Sequence, residues 1–201
     1  MKRVAMMAGL VFFMGTAVCL AGLKPGDSLP QGVVETAMQS VSGETVSIAQ
    51  AKGEKGTLVI FSCNHCPWVK AWEKRIAATG NAAQEKGVGV IMINSNDPVA
   101  YPEDSLEKMK ERTAQIGFEF PYVVDATSGV ARAFGASRTP EFFLFNPQGE
   151  LVYTGALDDN SENPSAVTRR YVEEAIDQML AGEPVATPET KSVGCGIKFR
   201  N

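Results

Sequence analysis

Two cysteines separated by two residues lie in the segment Ser62-Cys63-Asn64-His65-Cys66-Pro67. A thiolate attacks a disulfide, and the free N–H groups and dipole of a helix N-terminus stabilise such an anion. Cys63 and Cys66 follow a predicted buried strand and fall on the predicted first turn of a helix, where they can close a disulfide with little backbone movement. The spacing therefore predicts thiol–disulfide exchange.

Three side chains of this segment, Cys63, His65 and Cys66, are predicted to have different roles. Cys63, at the N-terminal position, is expected to face solvent and act as the nucleophile, with a pKa well below that of a free thiol. Cys66 is expected to point inward and resolve the mixed disulfide. His65 adds a partial positive charge beside the sulfur, which favours the thiolate and a more oxidising couple. A redox-active Cys63–Cys66 disulfide requires no further cofactor.

Other uses of the same residues remain open at this point. The pair could form a structural disulfide or half of a zinc site, but zinc normally takes four ligands. The chain has no second C-x-x-C and only one histidine, so no metal site is predicted. A copper-binding module stays as an alternative because thiols and imidazole are soft ligands, although the tight spacing argues against His65 joining both cysteines on one ion.

The length, hydrophobic content and net charge of the chain indicate one folded domain and exclude some classes of binding partner. The chain has 201 residues, 44% of them hydrophobic, which is enough for the core of one ordinary domain. Its net charge is −4, and no basic run appears away from the N-terminus, so nucleic-acid binding is not expected.

The N-terminal segment has the pattern of an export signal. Lys2 and Arg3 precede an uncharged stretch from 4 to 23, and small residues before Gly22 fit a cleavage site after Ala21. We therefore predict a signal peptide over 1–21 and a periplasmic or secreted protein. The alternative is an uncleaved anchor through 4–23, which would be the chain's only contact with a membrane.

Strand and helix patterns alternate along the rest of the chain. The predicted elements are a small N-terminal hairpin (33–38 and 45–48), strands at 57–62, 88–93, 122–124, 141–145 and 151–153, and helices at about 63–80, 104–116, 129–134 and 165–180. This order predicts a three-layer α/β domain over 22–182, with a mixed central sheet and helices on both faces. A tail over 183–201 carries Cys195.

The dithiol after a strand, with Thr139-Pro140 opening a later strand, resembles the thioredoxin fold. Closer similarity is to the peroxiredoxin-like redoxins, also called alkyl hydroperoxide reductase/thiol-specific antioxidant proteins. The segments that carry it are 61–70, Asn94-Ser95-Asn96-Asp97, Tyr101-Pro102-Glu103-Asp104, Arg138-Thr139-Pro140-Glu141 and Gly194-Cys195-Gly196-Ile197-Lys198.

This resemblance implies an enzyme that acts on protein thiols and disulfides or on a thiol reductant. It also implies a cis Pro140 in a loop against the dithiol. The peroxiredoxin pattern Pro-x-x-x-Thr/Ser-x-x-Cys is absent before both Cys63 and Cys66, so thiol peroxidase activity is the alternative.

Residues around Pro140 are candidates for supporting roles. Thr139 and Pro140 would present a backbone edge to a bound substrate chain. Arg138 could lower the pKa of Cys63 or bind an acidic partner, or it is a solvated loop arginine. Glu141 could relay protons to Cys66, or it is an ordinary exposed carboxylate. The charges between Asp104 and Arg112 are predicted to form a solvated helix face.

Cys195 lies between two glycines in the tail. Glycine gives backbone freedom, so the tail could fold back toward the dithiol. Cys195 would then be a third redox thiol that resolves an intermediate on Cys63 or Cys66, within one chain or across a dimer. The alternative is a packed thiol that pins the tail to the domain.

Overall fold

The computed structural model describes residues 22–200. The predicted signal peptide and its cleavage site lie outside the described residues. Among the helices that the structure describes, none is long and apolar enough to cross a membrane.

The chain alternates strands and helices, as predicted. The strands are β1 Met38–Ser40, β2 Thr45–Val46, β3 Thr57–Phe61, β4 Gly89–Asn94, β5 Tyr122–Val124, β6 Arg138–Thr139, β7 Glu141–Phe145, β8 Leu151–Gly155 and β9 Cys195–Gly196. The α-helices are α1 Gln31–Val34, α2 Ile48–Ala51, α3 Pro67–Glu85, α4 Leu106–Ile116, α5 Gly129–Phe134 and α6 Tyr171–Leu180. Two 3₁₀ turns cover Pro102–Asp104 and Pro164–Ala166.

Seven strands form one mixed sheet in the order β2-β1-β5-β4-β3-β7-β8. The central strands β3, β4 and β5 run parallel, and β7 runs antiparallel to β3. Every residue of β3 is buried, which is typical of a central strand covered on both faces.

Two apolar clusters cover the two faces of this sheet. Alternate side chains of β3 point to opposite faces, so that Leu58 and Ile60 join one cluster while Val59 and Phe61 join the other. The first cluster takes residues from α3, α4 and α6, and the second from α1, α2 and α5. The predicted three-layer α/β architecture is confirmed.

Several element boundaries differ from the prediction. Residues 31–34 form a short helix instead of the start of a strand, and the second hairpin strand ends before Ile48. Ser47 caps α2 there, and its reciprocal contacts with Gln50 form a capping box that favours a helix over a continued strand. The last helix begins at Tyr171, because the segment from Ser165 starts with a 3₁₀ turn.

Candidate active site

Strand register brings the dithiol to the loop before β7. Phe61 of β3 lies opposite Glu141 of the antiparallel strand β7, so Cys63, two residues further on, reaches the level of Thr139. The helix α3 begins at Pro67, later than the predicted Cys63, because Cys66 has extended backbone and occupies the N-cap position. Cys66 therefore sits at the helix N-terminus, while Cys63 lies in the preceding loop.

Thr139 contacts both sulfurs. Its hydroxyl oxygen lies 3.2 Å from Cys63 Sγ. The Cys66 thiol, when protonated, donates to the Thr139 carbonyl oxygen at 3.2 Å. The Thr139–Pro140 peptide bond is cis, as the resemblance implies. The predicted loop does face the dithiol.

Both thiols are buried, with exposed fractions of 1% for Cys63 and 0% for Cys66. The prediction that Cys63 faces solvent is therefore wrong for this form of the protein. The C-terminal tail runs in front of the dithiol, so the return of the tail that the sequence allows buries the thiol expected to face solvent.

The interaction between the two sulfurs shifts their pKa values in opposite directions. The hydrogen bond from Cys63 lowers the pKa of Cys66 to about 4, against the opposing effect of burial. The same hydrogen bond, together with burial and the Asp104 carboxylate, raises the pKa of Cys63 far above that of a free thiol. The low pKa that the sequence predicts for Cys63 is therefore not found there, and the lowered pKa is that of Cys66.

A buried carboxylate organises the loop between the cysteines. Asp104 Oδ1 accepts the backbone N–H groups of Asn64 at 2.7 Å and His65 at 3.2 Å. Its Oδ2 lies 2.5 Å from His65 Nδ1 and accepts the Asn96 side-chain amide at 2.8 Å. The His65 ring stacks on Tyr101 with a centroid separation of 4.9 Å. The Nδ1 atom of His65 therefore faces the Asp104 carboxylate, not a cysteine sulfur.

The role of Asp104 was missed by the sequence analysis, which placed it on a solvated helix face. Asp104 is 1% exposed and ends the 3₁₀ turn before α4, whose cap is Ser105. Arg112, at the other end of that predicted face, pairs with the partly buried Glu73. The polar run after β4 and the segment 101–104 were the available signals, but only tertiary structure shows that they meet.

The two charged residues around Pro140 hold the backbone in place. Glu141 is 9% exposed and is not the ordinary exposed carboxylate of the alternative reading. Its Oε2 accepts the backbone N–H groups of Ser137 and Arg138, and its Oε1 accepts the Ser192 hydroxyl at 2.8 Å. The exposed Arg138 donates to the Gly194 carbonyl at 2.9 Å. Both side chains tie the loop to the tail.

Cys195 does return to the dithiol. Strand β9 pairs antiparallel with β6, and Cys195 lies directly opposite Thr139. Cys195 packs against the cluster of Cys63, Cys66 and Val69, and it is the partly exposed member of the three described thiols. Burial and the neighbouring Cys66 raise the pKa of Cys195 to about 11.

Possible metal-ligand atoms also meet here. Donor atoms of Cys63, His65 and Asp104 lie within 4.8 Å of one another. Asp104 adds a hard oxygen donor to the soft sulfur and imidazole, and it is already hydrogen-bonded to His65. The set differs from the pair of thiols plus histidine that a copper module would use.

The arrangement of this sheet and its helices is similar to that of a thioredoxin-like protein solved in its oxidized form, with a TM-score of 0.60 over 80% of this chain and 97% of that one at 22% identity. The chain has a thioredoxin-like fold. Within this fold class, the chain belongs to the AhpC/TSA family, which matches residues 25–154. The tail with Cys195 lies beyond the matched residues.

Two solved structures and one further relative are similar to most of the chain. An uncharacterized conserved protein from Geobacillus kaustophilus is 36% identical, with a TM-score of 0.79 over 90% of this chain and 93% of its own. A hypothetical protein from Sinorhizobium meliloti 1021 is 33% identical, with a TM-score of 0.81 over 90% of this chain and 97% of its own. The thiol-disulfide oxidoreductase ResA of Halalkalibacterium halodurans is 27% identical over 128 residues, which are 63% of this chain and 68% of that protein.

Proposed function

We propose that the protein is an exported thiol–disulfide oxidoreductase that exchanges disulfides through Cys63 and Cys66. The observation that carries this proposal is the pair of sulfurs that both contact Thr139, with Cys66 at the N-cap of a helix, where a thiolate is stabilised. The similarity to ResA, a thiol-disulfide oxidoreductase by name, supports it. Its partners would be protein thiols and disulfides or a thiol reductant.

The exchange follows ordinary disulfide chemistry. The Cys66 thiolate attacks one sulfur of a partner disulfide, a mixed disulfide forms, and one partner thiolate leaves. Cys63 then loses its proton and attacks Cys66 Sγ, which releases the second partner thiolate and leaves the Cys63–Cys66 disulfide. The partner gains two electrons, and the reverse sequence oxidises a dithiol. The lowered pKa of Cys66 is the reason for giving it the attacking role that sequence position assigned to Cys63.

Export is supported by the N-terminal sequence. Lys2 and Arg3 precede an uncharged stretch, and the small residues before Gly22 suit a signal peptidase. An oxidising compartment would allow the Cys63–Cys66 disulfide to persist between encounters with partners.

Equilibration with glutathione tests this function. In buffers of varied reduced-to-oxidised ratio, we expect Cys63 and Cys66 to become protected from alkylation together, in one two-electron transition. Peptide mapping after alkylation measures this, and the midpoint gives the reduction potential. Independent titration of the two thiols would contradict the proposal.

The same preparation tests the peroxidase alternative. With a thiol reductant present, we expect the protein to consume hydrogen peroxide no faster than a variant that lacks both cysteines of the pair. Faster consumption would assign a thiol peroxidase, despite the missing Pro-x-x-x-Thr/Ser-x-x-Cys pattern.

A further inference from the structure

The C-terminal tail occupies the backbone edge beside the dithiol. Strand β9 pairs with Arg138 and Thr139, the two residues before the cis proline. The pairing continues at Ile197, whose N–H donates to the Ser137 carbonyl at 2.9 Å. An extended substrate chain would need this same edge, because strand addition uses the free N–H and C=O groups of a strand. The tail therefore lies where a substrate peptide would lie.

The segment after Cys195 is bound as closely as the strand itself. Ile197 is 8% exposed and joins the apolar cluster on the second face of the sheet. The Lys198 N–H donates to Asn96 Oδ1 at 2.7 Å, and the Lys198 carbonyl accepts the Asp97 N–H at 2.8 Å. Asn96 also donates to Asp104, so the tail and the loop between the cysteines share one hydrogen-bond network.

Gly194 allows the close approach. A Cβ atom at this position would lie 2.1 Å from the Thr139 carbonyl oxygen, a distance that backbone atoms cannot accommodate without moving. At Gly196, on the other side of the cysteine, the nearest atom would lie 3.9 Å away. Gly194 is thus required for contact, not for flexibility, and this contact sets Cys195 against the dithiol.

The thiols of Cys63, Cys66 and Cys195 lie in a row from the interior of the protein to its surface. Cys63 and Cys66 are shielded from solvent, and Cys195 packs against their cluster, within reach of the Cys66 sulfur, while remaining partly exposed. A large partner reaches either buried sulfur directly only when the tail is displaced. It can reach the sulfur of Cys195.

We infer that Cys195 is a third catalytic thiol, which exchanges with Cys66 and relays disulfides between the buried pair and external thiols. This inference rests on the proposed function and adds to it. The tail acts as a permanently attached substrate strand, with Cys195 at the position of the substrate cysteine.

The relay conserves atoms and electrons at each step. Starting from the Cys63–Cys66 disulfide, the Cys195 thiol loses its proton and attacks Cys66 Sγ. The Cys66–Cys195 bond forms, the Cys63–Cys66 bond breaks, and the Cys63 thiolate takes up a proton. An external dithiol then attacks Cys195 Sγ through one sulfur and releases the Cys66 thiolate. The second sulfur of the external dithiol then attacks the first and displaces the Cys195 thiolate. The external dithiol leaves as a disulfide, and the protein has gained two electrons and two protons.

A trapping experiment tests the proposed bond. All proteins are full-length and carry Cys19→Ser, so that the parent has three cysteines and each variant has two. We expect Cys63→Ser, treated with oxidised glutathione, to form an intramolecular Cys66–Cys195 disulfide, seen as the loss of two hydrogen atoms in mass and as a linked peptide pair. In the matched variant Cys66→Ser, we expect glutathione adducts on Cys63 and Cys195. Glutathione adducts on both cysteines of Cys63→Ser, or a cross-link only between chains, would overturn the relay.

A kinetic comparison separates this inference from the proposed function. In Cys195→Ser we expect the Cys63–Cys66 disulfide to form with an unchanged glutathione midpoint, while its reduction by an external protein dithiol slows at least about tenfold. Unchanged reduction would overturn the relay and leave the function standing. Failure of Cys63 and Cys66 to form a disulfide in this variant would instead refute the proposed function.

The two glycines give a test that keeps all three thiols. We expect Gly194→Ala to displace the tail, because its Cβ meets the Thr139 backbone, and to raise the alkylation rate of reduced Cys63 and Cys66 at least about tenfold, as local opening exposes buried thiols. Gly196→Ala is the matched control and should leave that rate unchanged. Equal rates in the two variants would show that the tail does not cover the dithiol.

Discussion

In a Cys195→Ser background, which leaves no third thiol to resolve an intermediate, Cys63→Ser and Cys66→Ser are each expected to abolish catalytic exchange of protein disulfides. A complete cycle needs one thiol to attack and a second to release the mixed disulfide, so neither can act alone. Removal of a nucleophile lowers rates by on the order of a thousandfold or more. Turnover of a disulfide-containing protein substrate with a thiol reductant measures the loss. Cys19→Ser is the matched control and should retain full turnover; retained turnover in either variant of the pair would remove the dithiol from the mechanism.

The two variants should differ in what they trap. In a Cys195→Ser background, where no tail thiol can resolve the intermediate, Cys63→Ser should accumulate mixed disulfides on Cys66, whose pKa is lowered to about 4. In the same background Cys66→Ser leaves Cys63 beside the Asp104 carboxylate, which raises the pKa of Cys63, and should accumulate fewer. Alkylation followed by non-reducing gels and peptide mapping distinguishes them. The opposite pattern would return the attacking role to Cys63, as its position in the sequence predicts.

Asp104→Ala is expected to produce the largest loss of stability from a single change in the polar network. It leaves the backbone N–H groups of Asn64 and His65 and the amide of Asn96 without their acceptor in a buried site. Each unsatisfied group costs about 1–3 kcal/mol, so we expect a loss of roughly 3 kcal/mol or more. For a domain of this size that lowers Tm by about 10 °C, measurable by thermal unfolding. Glu103→Ala, at the exposed neighbouring position, should change stability by less than about 0.5 kcal/mol.

Asp104→Asn separates the charge from the hydrogen bonds. The amide oxygen can still accept the N–H groups of Asn64 and His65, so this variant should be more stable than Asp104→Ala. The negative charge of Asp104 raises the pKa of Cys63, and its removal should lower that pKa. Thiolate absorbance against pH, recorded in a Cys66→Ser background, measures the shift. An unchanged Cys63 pKa would limit Asp104 to a structural role.

Local patterns in the sequence were sufficient for the fold class and for the chemistry. The continuous apolar run of β3 and the helical spacing of Trp68, Trp72 and Ile76 predict a buried strand followed by a helix. The C-x-x-C between them then lies at a helix N-terminus, whatever the rest of the chain does. These inferences succeed because strand periodicity, helix capping and thiol chemistry depend on residues close together in the chain.

The environment of the dithiol depends on residues far from it in sequence. Asp104, forty positions after Asn64, is on a charged segment that reads as a solvated helix face, and only the packing of the loops after β3 and β4 buries it. Cys195 is more than a hundred positions away, and only the pairing of β9 with β6 shows that it lies opposite Thr139 and beside the dithiol. Burial and partner charges set a thiol's pKa and access, and both depend on tertiary contacts. The sequence alone therefore identified the candidate reactive thiols, and the tertiary structure decided which groups surround them and what covers them.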